Sequence, residues 1–242
     1  LRACKDPDHH FVEWWARGVW LGSPDRPLPR APALYDRKVK WGLKDEGEYL
    51  HGDWKANDSS LQDHEAQVIK QYNSEMGENL MTKMTLGEAI DKYGESLTIA
   101  ATGAIAKKGS APGGDIRVIF DGTNGVYLNL GIRIRDQVRF PTSCDIRAVL
   151  TELAAEGGVH WSLLFDVSKA HRRIPVLEEE WGRQACQIRG TAAATAGLRR
   201  RASEACIRGG VRRAAPLKRA DFSPAELREF VYVNCVGTFG VT

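Results

Sequence analysis

Apolar residues recur at helical spacing in three parts of the chain. Over residues 61–80 they form one stripe, which predicts a helix with a single buried face. A second, short helix is predicted after Thr85, because Thr85 and Glu88 have the spacing of a capping box and Gly94 suits a helix end. A third helix is predicted over residues 143–156. Its buried face would consist of Ile146, Val149, Leu150 and Leu153.

Apolar and polar residues alternate over residues 115–121, which is the pattern of a strand. Residues 97–108 are predicted to form a strand as well, and the Pro-Gly-Gly sequence at 112–114 predicts a hairpin between the two. The remaining predicted elements are strands over residues 160–167, 184–188 and 231–236 and a last helix that begins at Ser223. Helices and strands without a strict βαβ repeat indicate the α+β class.

The strand predicted over residues 160–167 brings a single carboxylate, Asp166, to its end. A short turn follows, then a basic pair and the sequence Ile-Pro-Val at 174–176. A buried strand can hold such a carboxylate rigidly at the edge of a sheet, where it could bind a hard cation such as Mg²⁺. The alternative for a lone Asp in this position is a turn cap or an ion pair.

Composition narrows the class of protein. A chain of 242 residues that is 43% hydrophobic can bury a sizeable core, as one large or two small domains. No apolar run approaches the ~18 residues that a membrane span needs, and the polar start of the chain does not suggest a signal peptide. Five cysteines without a Cys-x-x-Cys pair argue against a disulfide framework or a zinc knuckle. An intracellular protein, cytoplasmic or nuclear and without membrane partners, is therefore expected.

The net charge of +3 hides an uneven distribution. Residues 191–220 contain eight Arg or Lys residues against one Glu, which leaves a net negative charge for the rest of the chain. This segment could be a solvated, flexible insert. It could also contact the phosphates of a nucleic acid irrespective of sequence. The two interpretations are compatible.

Three blocks, in this order along the chain, resemble the reverse transcriptases of retroelements. The first resembles the fingers hairpin of that family and comprises AIAKKG at 104–109, IRVIFDGTN at 116–124 and LN at 128–129. The second, LFDVSKAHRRIPV at 164–176, resembles motif A, which carries the first catalytic aspartate. The third, VGTFGV at 236–241, resembles the beginning of motif B. The resemblance covers roughly residues 97–190 and 224–242.

The resemblance implies an RNA-directed DNA polymerase, which adds deoxynucleotides to the 3′-hydroxyl of a DNA primer on an RNA template. Two Mg²⁺ ions, or Mn²⁺, stabilise the attacking and leaving oxygens in such enzymes. By resemblance, Asp166 is the catalytic carboxylate that bridges the metals, and the Val167 carbonyl could add a ligand. Lys107 and Arg117 match residues that bind the triphosphate of the incoming deoxynucleoside triphosphate.

Four further positions have roles implied by the resemblance. Asp121 is expected to orient the basic residues rather than to bind metal. His171 stands where the family usually has Tyr or Phe under the nucleotide sugar, which leaves the choice of substrate open. Phe239 and Gly240 would lie against the nucleotide and the template.

Two departures from the family argue against activity of this chain. The second catalytic motif, an aromatic-x-Asp-Asp hairpin, is missing, because no Asp-Asp pair occurs in the 242 residues. The family places that motif after motif B, within which this sequence is expected to be truncated, before the thumb. The Ala- and Arg-rich insert at 191–220 is the other departure. No measurable polymerisation is therefore expected from the chain alone.

The resulting expectation is an α+β protein that forms the fingers and partial palm of a right-hand polymerase. Residues 1–80 would be a Trp-rich and helical extension, whose tryptophans could pack on a core or stack on bases. Residues 81–141 would form the fingers-like region, and residues 142–242 the partial palm with the insert. The alternatives are a non-enzymatic nucleic-acid-binding remnant and a gene fragment without a function of its own.

Overall fold

The computed structural model describes ten stretches of the chain. They are residues 11–22, 26–30, 36–37, 54–111, 113–126, 128–132, 136–137, 141–161, 163–190 and 217–237. The helices are α1 Phe11–Arg17, α2 Ser60–Asp63, α3 Glu65–Gly77, α4 Leu86–Tyr93, α5 Leu128–Gly131 and α6 Ser143–Glu156. The strands are β1 Asp36–Arg37, β2 Met81–Thr85, β3 Ile99–Ala106, β4 Ile116–Asp121, β5 Asp136–Gln137, β6 Ala185–Cys186 and β7 Phe230–Asn234.

Five strands form one mixed sheet in the order β2-β7-β6-β3-β4. Strands β3 and β6 are parallel, and the other neighbouring pairs are antiparallel. The predicted hairpin is confirmed, with Ala104 opposite Val118 in β3 and β4. The α+β class is confirmed as well, while the right-hand polymerase fold stays a prediction. The sheet takes strands from both predicted ranges 81–141 and 142–242, and the division into domains also stays a prediction.

The core lies on both faces of this sheet. On one face, Leu61, Val68 and Tyr72 of α2 and α3 pack against a cluster that includes Tyr232. On the other face, buried residues of α4 form a second cluster with Val231 and Val233. The alternation of Val231, Tyr232 and Val233 between the two clusters follows from the two-residue period of a strand.

Local signals set the ends of the predicted helices. Thr85 and Glu88 form the expected capping box, since the Glu88 amide donates to Thr85 Oγ1 (3.2 Å) and the Thr85 amide donates to the Glu88 carboxylate (2.7 Å). Gly94 ends α4 with a φ of 48°. The helix predicted over residues 61–80 is present, but a break at His64 divides it into α2 and α3.

The strand predicted over residues 160–167 is not formed in the described part of that segment, so this prediction was wrong. The described residues of this segment have no regular secondary structure, and their side chains are exposed: Leu164 by 97% and Phe165 by 85%. Helix α6 forms as predicted, with a capping box at Thr142, but none of its described residues is buried. The apolar pattern of α6 correctly predicts a helix with one apolar face, but no described part of the chain packs on that face. A strand also needs a partner for its backbone hydrogen bonds.

The last predicted helix, which would begin at Ser223, is also not formed as a helix. Ser223 and Glu226 make the expected reciprocal hydrogen bonds (2.7 and 3.3 Å), but only one 3₁₀ turn, Glu226–Arg228, follows. Strand β7 begins at Phe230, so the sheet takes over the residues that would have extended the helix. Within the described ranges, no helix is long and apolar enough to cross a membrane.

The described N-terminal segment packs against the residues that follow the turn Ala170–Arg173. Val19 forms a parallel bridge with Val176, and Pro175 forms an antiparallel bridge with Val236. Gly18 has a φ of 92° and lies so close to Val176 that an added Cβ would come within 2.8 Å of its carbonyl carbon. Glycine is therefore required for this close approach.

Candidate functional site

A cleft of about 390 Å³ lies between α3, the β3–β4 hairpin and the turn Ala170–Arg173. This volume falls in the range of small-molecule sites. The lining residues come from four parts of the chain: Gln71, Tyr72, Ser74, Glu75, Met81, Lys107, Ile116, Arg117, Val118, Phe120, Lys169, His171, Arg172 and Asn234. Four of them are cationic and one is a carboxylate, so the cleft favours an anionic ligand.

The exposed rim of the cleft consists of Lys107, Arg117 and Lys169. The Lys107 ammonium lies 3.6 Å from Asp115, and the Lys169 ammonium lies 3.1 Å from Glu78. The hydrogen bond from Lys169, followed by its charge, lowers the pKa of Glu78. Such exposed ion pairs contribute little free energy. A polyanionic ligand could therefore displace these carboxylates at small cost.

The inner wall of the cleft is largely apolar. Met81, Phe120 and Tyr72 are all buried there. The Tyr72 hydroxyl lies 3.3 Å from the Cys186 thiol. Burial raises the pKa of Tyr72 well above its usual value and that of Cys186 to about 11, so both groups are neutral at pH 7.

One ion pair closes the inner end of the cleft. Arg172 of the turn donates through Nη2 to the Glu75 carboxylate of α3, and both side chains are buried. Nη1 of Arg172 donates to Asn234 Oδ1 of β7 at 2.6 Å. The side-chain Nδ2 of Asn234 donates in turn to the Gln184 backbone carbonyl at 2.9 Å. The turn is thereby fixed to both α3 and the sheet.

Three of the residues predicted from the sequence lie together at this cleft: Lys107, Arg117 and His171. Lys107 directly follows β3, Arg117 lies in β4, and His171 belongs to the turn that Arg172 anchors. Burial, followed by the charge of Arg172, lowers the pKa of His171. The imidazole is therefore neutral at pH 7.

Asp121 lies at the end of β4 and caps the turn that follows. Its carboxylate accepts hydrogen bonds from the backbone amides of Thr123 (3.0 Å) and Asn124 (2.9 Å). Burial acts to raise the pKa of Asp121, but the hydrogen bonds from Asn124 and Thr123 and the charge of Lys55 lower it overall. Asp121 is therefore ionised, and the described contacts give it a structural role in this turn.

Asp166 and Val167 do not line the cleft. Both are exposed and lie in the irregular segment that leads to the turn. Three peptide units join Asp166 to Lys169, so their Cα atoms lie within about 11 Å of each other. Among the described residues, no group of three His, Cys, Asp or Glu side chains could hold a metal ion. Phe239 and Gly240 lie outside the described residues.

The sequence did not single out Lys169, Arg172, Glu75 or Asn234 as site residues. The only signal was the basic character of the segment after Asp166, and that signal does not distinguish Arg172 from Arg173. The structure buries Arg172 to 6% exposure and leaves Arg173 exposed. The partner of Arg172 lies 97 residues away along the chain.

Comparisons with known proteins add no relative to this picture. Models of known protein families do not match the chain, and curated proteins do not match it either. The arguments for a function are therefore the three sequence blocks and the geometry of the cleft.

Proposed function

We propose that the chain forms the fingers and partial palm of an RNA-directed DNA polymerase, and that its cleft binds the triphosphate of a deoxynucleotide. The observation that supports this proposal is the convergence of Lys107 and Arg117 with His171 at one cleft. These residues belong to two different sequence blocks, and His171 lies 54 residues after Arg117. The sequence resemblance alone implies that all three contact the same nucleotide.

The chemistry of the cleft suits a triphosphate. The Arg117 guanidinium can bind two phosphate oxygens at once, and the Lys107 and Lys169 ammonium groups can each act as a point charge. The buried side chains of Met81 and Phe120 provide an apolar inner wall behind this exposed cationic rim. The neutral His171 ring offers a flat surface to the sugar without adding charge.

Asp166 and the Val167 carbonyl are the proposed ligands for Mg²⁺ or Mn²⁺. Their donors are oxygen atoms and both residues are exposed, which fits a hard cation that keeps several water ligands. When bound, such an ion would supply positive charge for the attacking and leaving oxygens. The proposed partners are an RNA template, a DNA primer and deoxynucleoside triphosphates.

The proposal is tested by titrating the purified chain with a deoxynucleoside triphosphate in a calorimeter. We expect Lys107→Gln and Arg117→Gln each to weaken binding about tenfold, the size of one charge-assisted hydrogen bond. Lys108→Gln is the matched control, because Lys108 is exposed beside Lys107 but does not line the cleft. Equal losses in Lys108→Gln and Lys107→Gln would show non-specific attraction and contradict the proposal.

The second candidate is nucleic-acid binding without catalysis. It is favoured by the position of Asp166 outside the cleft lining, together with the cationic rim. Its test is the binding of an RNA·DNA duplex at increasing salt concentration by wild type and by Asp166→Ala. Binding that weakens with salt but is equal in both proteins supports this candidate. Mg²⁺-dependent primer extension by the chain, or loss of binding on addition of EDTA, would count against it.

A further inference from the structure

The inner end of the cleft contains a buried guanidinium with an unused hydrogen-bond donor. Arg172 is 6% exposed, although it lines the cleft. Nη2 donates to Glu75, and Nη1 donates to Asn234. The Nε–H is buried and has no hydrogen-bond partner among the described residues. Because a buried donor without a partner costs free energy, a ligand that supplies an acceptor would gain by pairing with it.

Glu75 controls how much positive charge this guanidinium can offer. Glu75 is 7% exposed, and its carboxylate accepts a hydrogen bond at 2.9 Å from Gln71, one turn earlier in α3. The ion pair with Glu75 neutralises Arg172, so the inner end adds no net charge to the cationic rim. An anion that enters the cleft therefore competes with Glu75 for the same guanidinium.

We propose that Arg172 is an anion-binding residue of the cleft, which donates its Nε–H to a phosphate oxygen while Glu75 limits the affinity. This inference rests on the proposed function, since it assigns the innermost phosphate contact of the same cleft. A guanidinium suits the task because its donors are fixed in one plane, so Nη1 can keep its hydrogen bond to Asn234 while a ligand oxygen competes with Glu75 for the rest of the group. Lys169 then binds the outer part of the same anion.

A purely structural role for the ion pair makes a different prediction from an anion-binding role. If the pair only held the turn in place, removal of either partner would lower both the melting temperature and the affinity for anions. If Arg172 binds the anion, Glu75→Gln should lower the melting temperature but increase the affinity. Substitution of Glu75 and substitution of Arg172 should therefore change the affinity for anions in opposite directions, while both lower the melting temperature.

The experiment is a calorimetric titration of the full chain with inorganic tripolyphosphate, together with thermal melts of each variant. We expect Glu75→Gln to bind about tenfold more tightly than wild type and Arg172→Lys to bind about tenfold more weakly. Arg172→Lys keeps the charge, so a folded variant is available even if Arg172→Gln does not fold. Arg173→Gln is the matched control, because it removes a cation from the exposed neighbour and should change the affinity less than twofold.

The outcomes separate this inference from the proposed function. Weaker binding by Glu75→Gln would overturn the inference, and so would equal affinities of wild type and Arg172→Lys. If Lys107→Gln still weakened binding in those cases, the proposed triphosphate cleft would stand without an inner contact. If wild type did not bind tripolyphosphate at all, both proposals would fall.

Discussion

The exposure of the segment before Asp166 can be tested by making the same substitution, Leu→Ala, at one position in this segment and at one position in the core. Leu164 is 97% exposed, whereas Leu86, the first residue of α4, is 2% exposed in the second core cluster. Leu→Ala removes about three buried carbon groups at position 86, worth about 2.4 kcal/mol of transfer free energy. The cavity left behind brings the expected loss to about 3 kcal/mol, within the range for core leucines. At position 164 almost no buried surface is lost, so the change in unfolding free energy should stay within about 0.5 kcal/mol.

The assay is urea unfolding at pH 7, followed by far-ultraviolet circular dichroism and by tryptophan fluorescence. The two signals should give coincident transitions, and the slope with urea should be the same in all three proteins. A loss above about 1.5 kcal/mol in Leu164→Ala would refute the reasoning, since only a packed leucine loses that much. The strand predicted to end in Asp166 would then exist in solution. A loss below about 1 kcal/mol in Leu86→Ala would instead refute the described core around α4.

Three further predictions use the same kinds of contrast. Thr85→Ala should lower the unfolding free energy by about 1 kcal/mol, whereas Thr142→Ala should lower only the helix content by circular dichroism, because α6 buries none of its described residues. Cys144, which is exposed, should react with a thiol reagent at pH 8 while Cys186, buried and with a pKa of about 11, stays protected until unfolding, as peptide mapping would show. Burial and the positive charge of the next residue lower the pKa of His171, so as the pH falls through about 6.5, its ordinary pKa, this histidine binds fewer protons in the folded chain than in the unfolded chain. Stability should therefore fall as the pH drops from 7 to 5, and His171→Gln should make that fall less steep in urea titrations.

Elements that depend on near neighbours in sequence were predicted correctly. The capping box at Thr85 and the glycine at 94 define both ends of α4, and each signal lies within nine residues of the other. The β3–β4 hairpin follows from two alternating runs and the turn between them. In each case the partners of the backbone hydrogen bonds belong to the same short stretch of chain.

The predictions that failed depended on distant partners. Residues 160–167 have the apolar character of a buried strand, but burial requires a surface to pack on, and sequence periodicity does not reveal that surface. Ser223 gives a correct capping signal, yet the pairing of Phe230 with Thr85 of β2 limits the helix to a single turn. A local signal sets where an element starts, and tertiary pairing decides how far it extends.

The site shows the same division. Lys107 and Arg117 could be expected to lie close together because they belong to one hairpin with a recognisable sequence, and both line the cleft, while their role stays a prediction. The ion pair between Arg172 and Glu75 could not be predicted. Its partners lie on different elements, and the sequence does not show which of the adjacent residues Arg172 and Arg173 would be buried. The difference between Arg172 and Arg173 arises only when the turn Ala170–Arg173 presents one side chain to α3.

The residues before and after the turn Ala170–Arg173 are anchored very differently. After the turn, Val19 donates to the Pro175 carbonyl at 2.8 Å, and the Gly237 amide donates to the Ile174 carbonyl at 2.9 Å. Arg172 adds its contacts with α3 and β7, and Lys169 adds its ion pair with Glu78, so the turn is fixed by contacts that do not involve Asp166. Before Lys169, the described residues make no comparable contacts and are exposed. The cleft can therefore keep its geometry whatever conformation Asp166 adopts, whereas the proposed metal-dependent step would additionally require the exposed Asp166 carboxylate to reach the cleft.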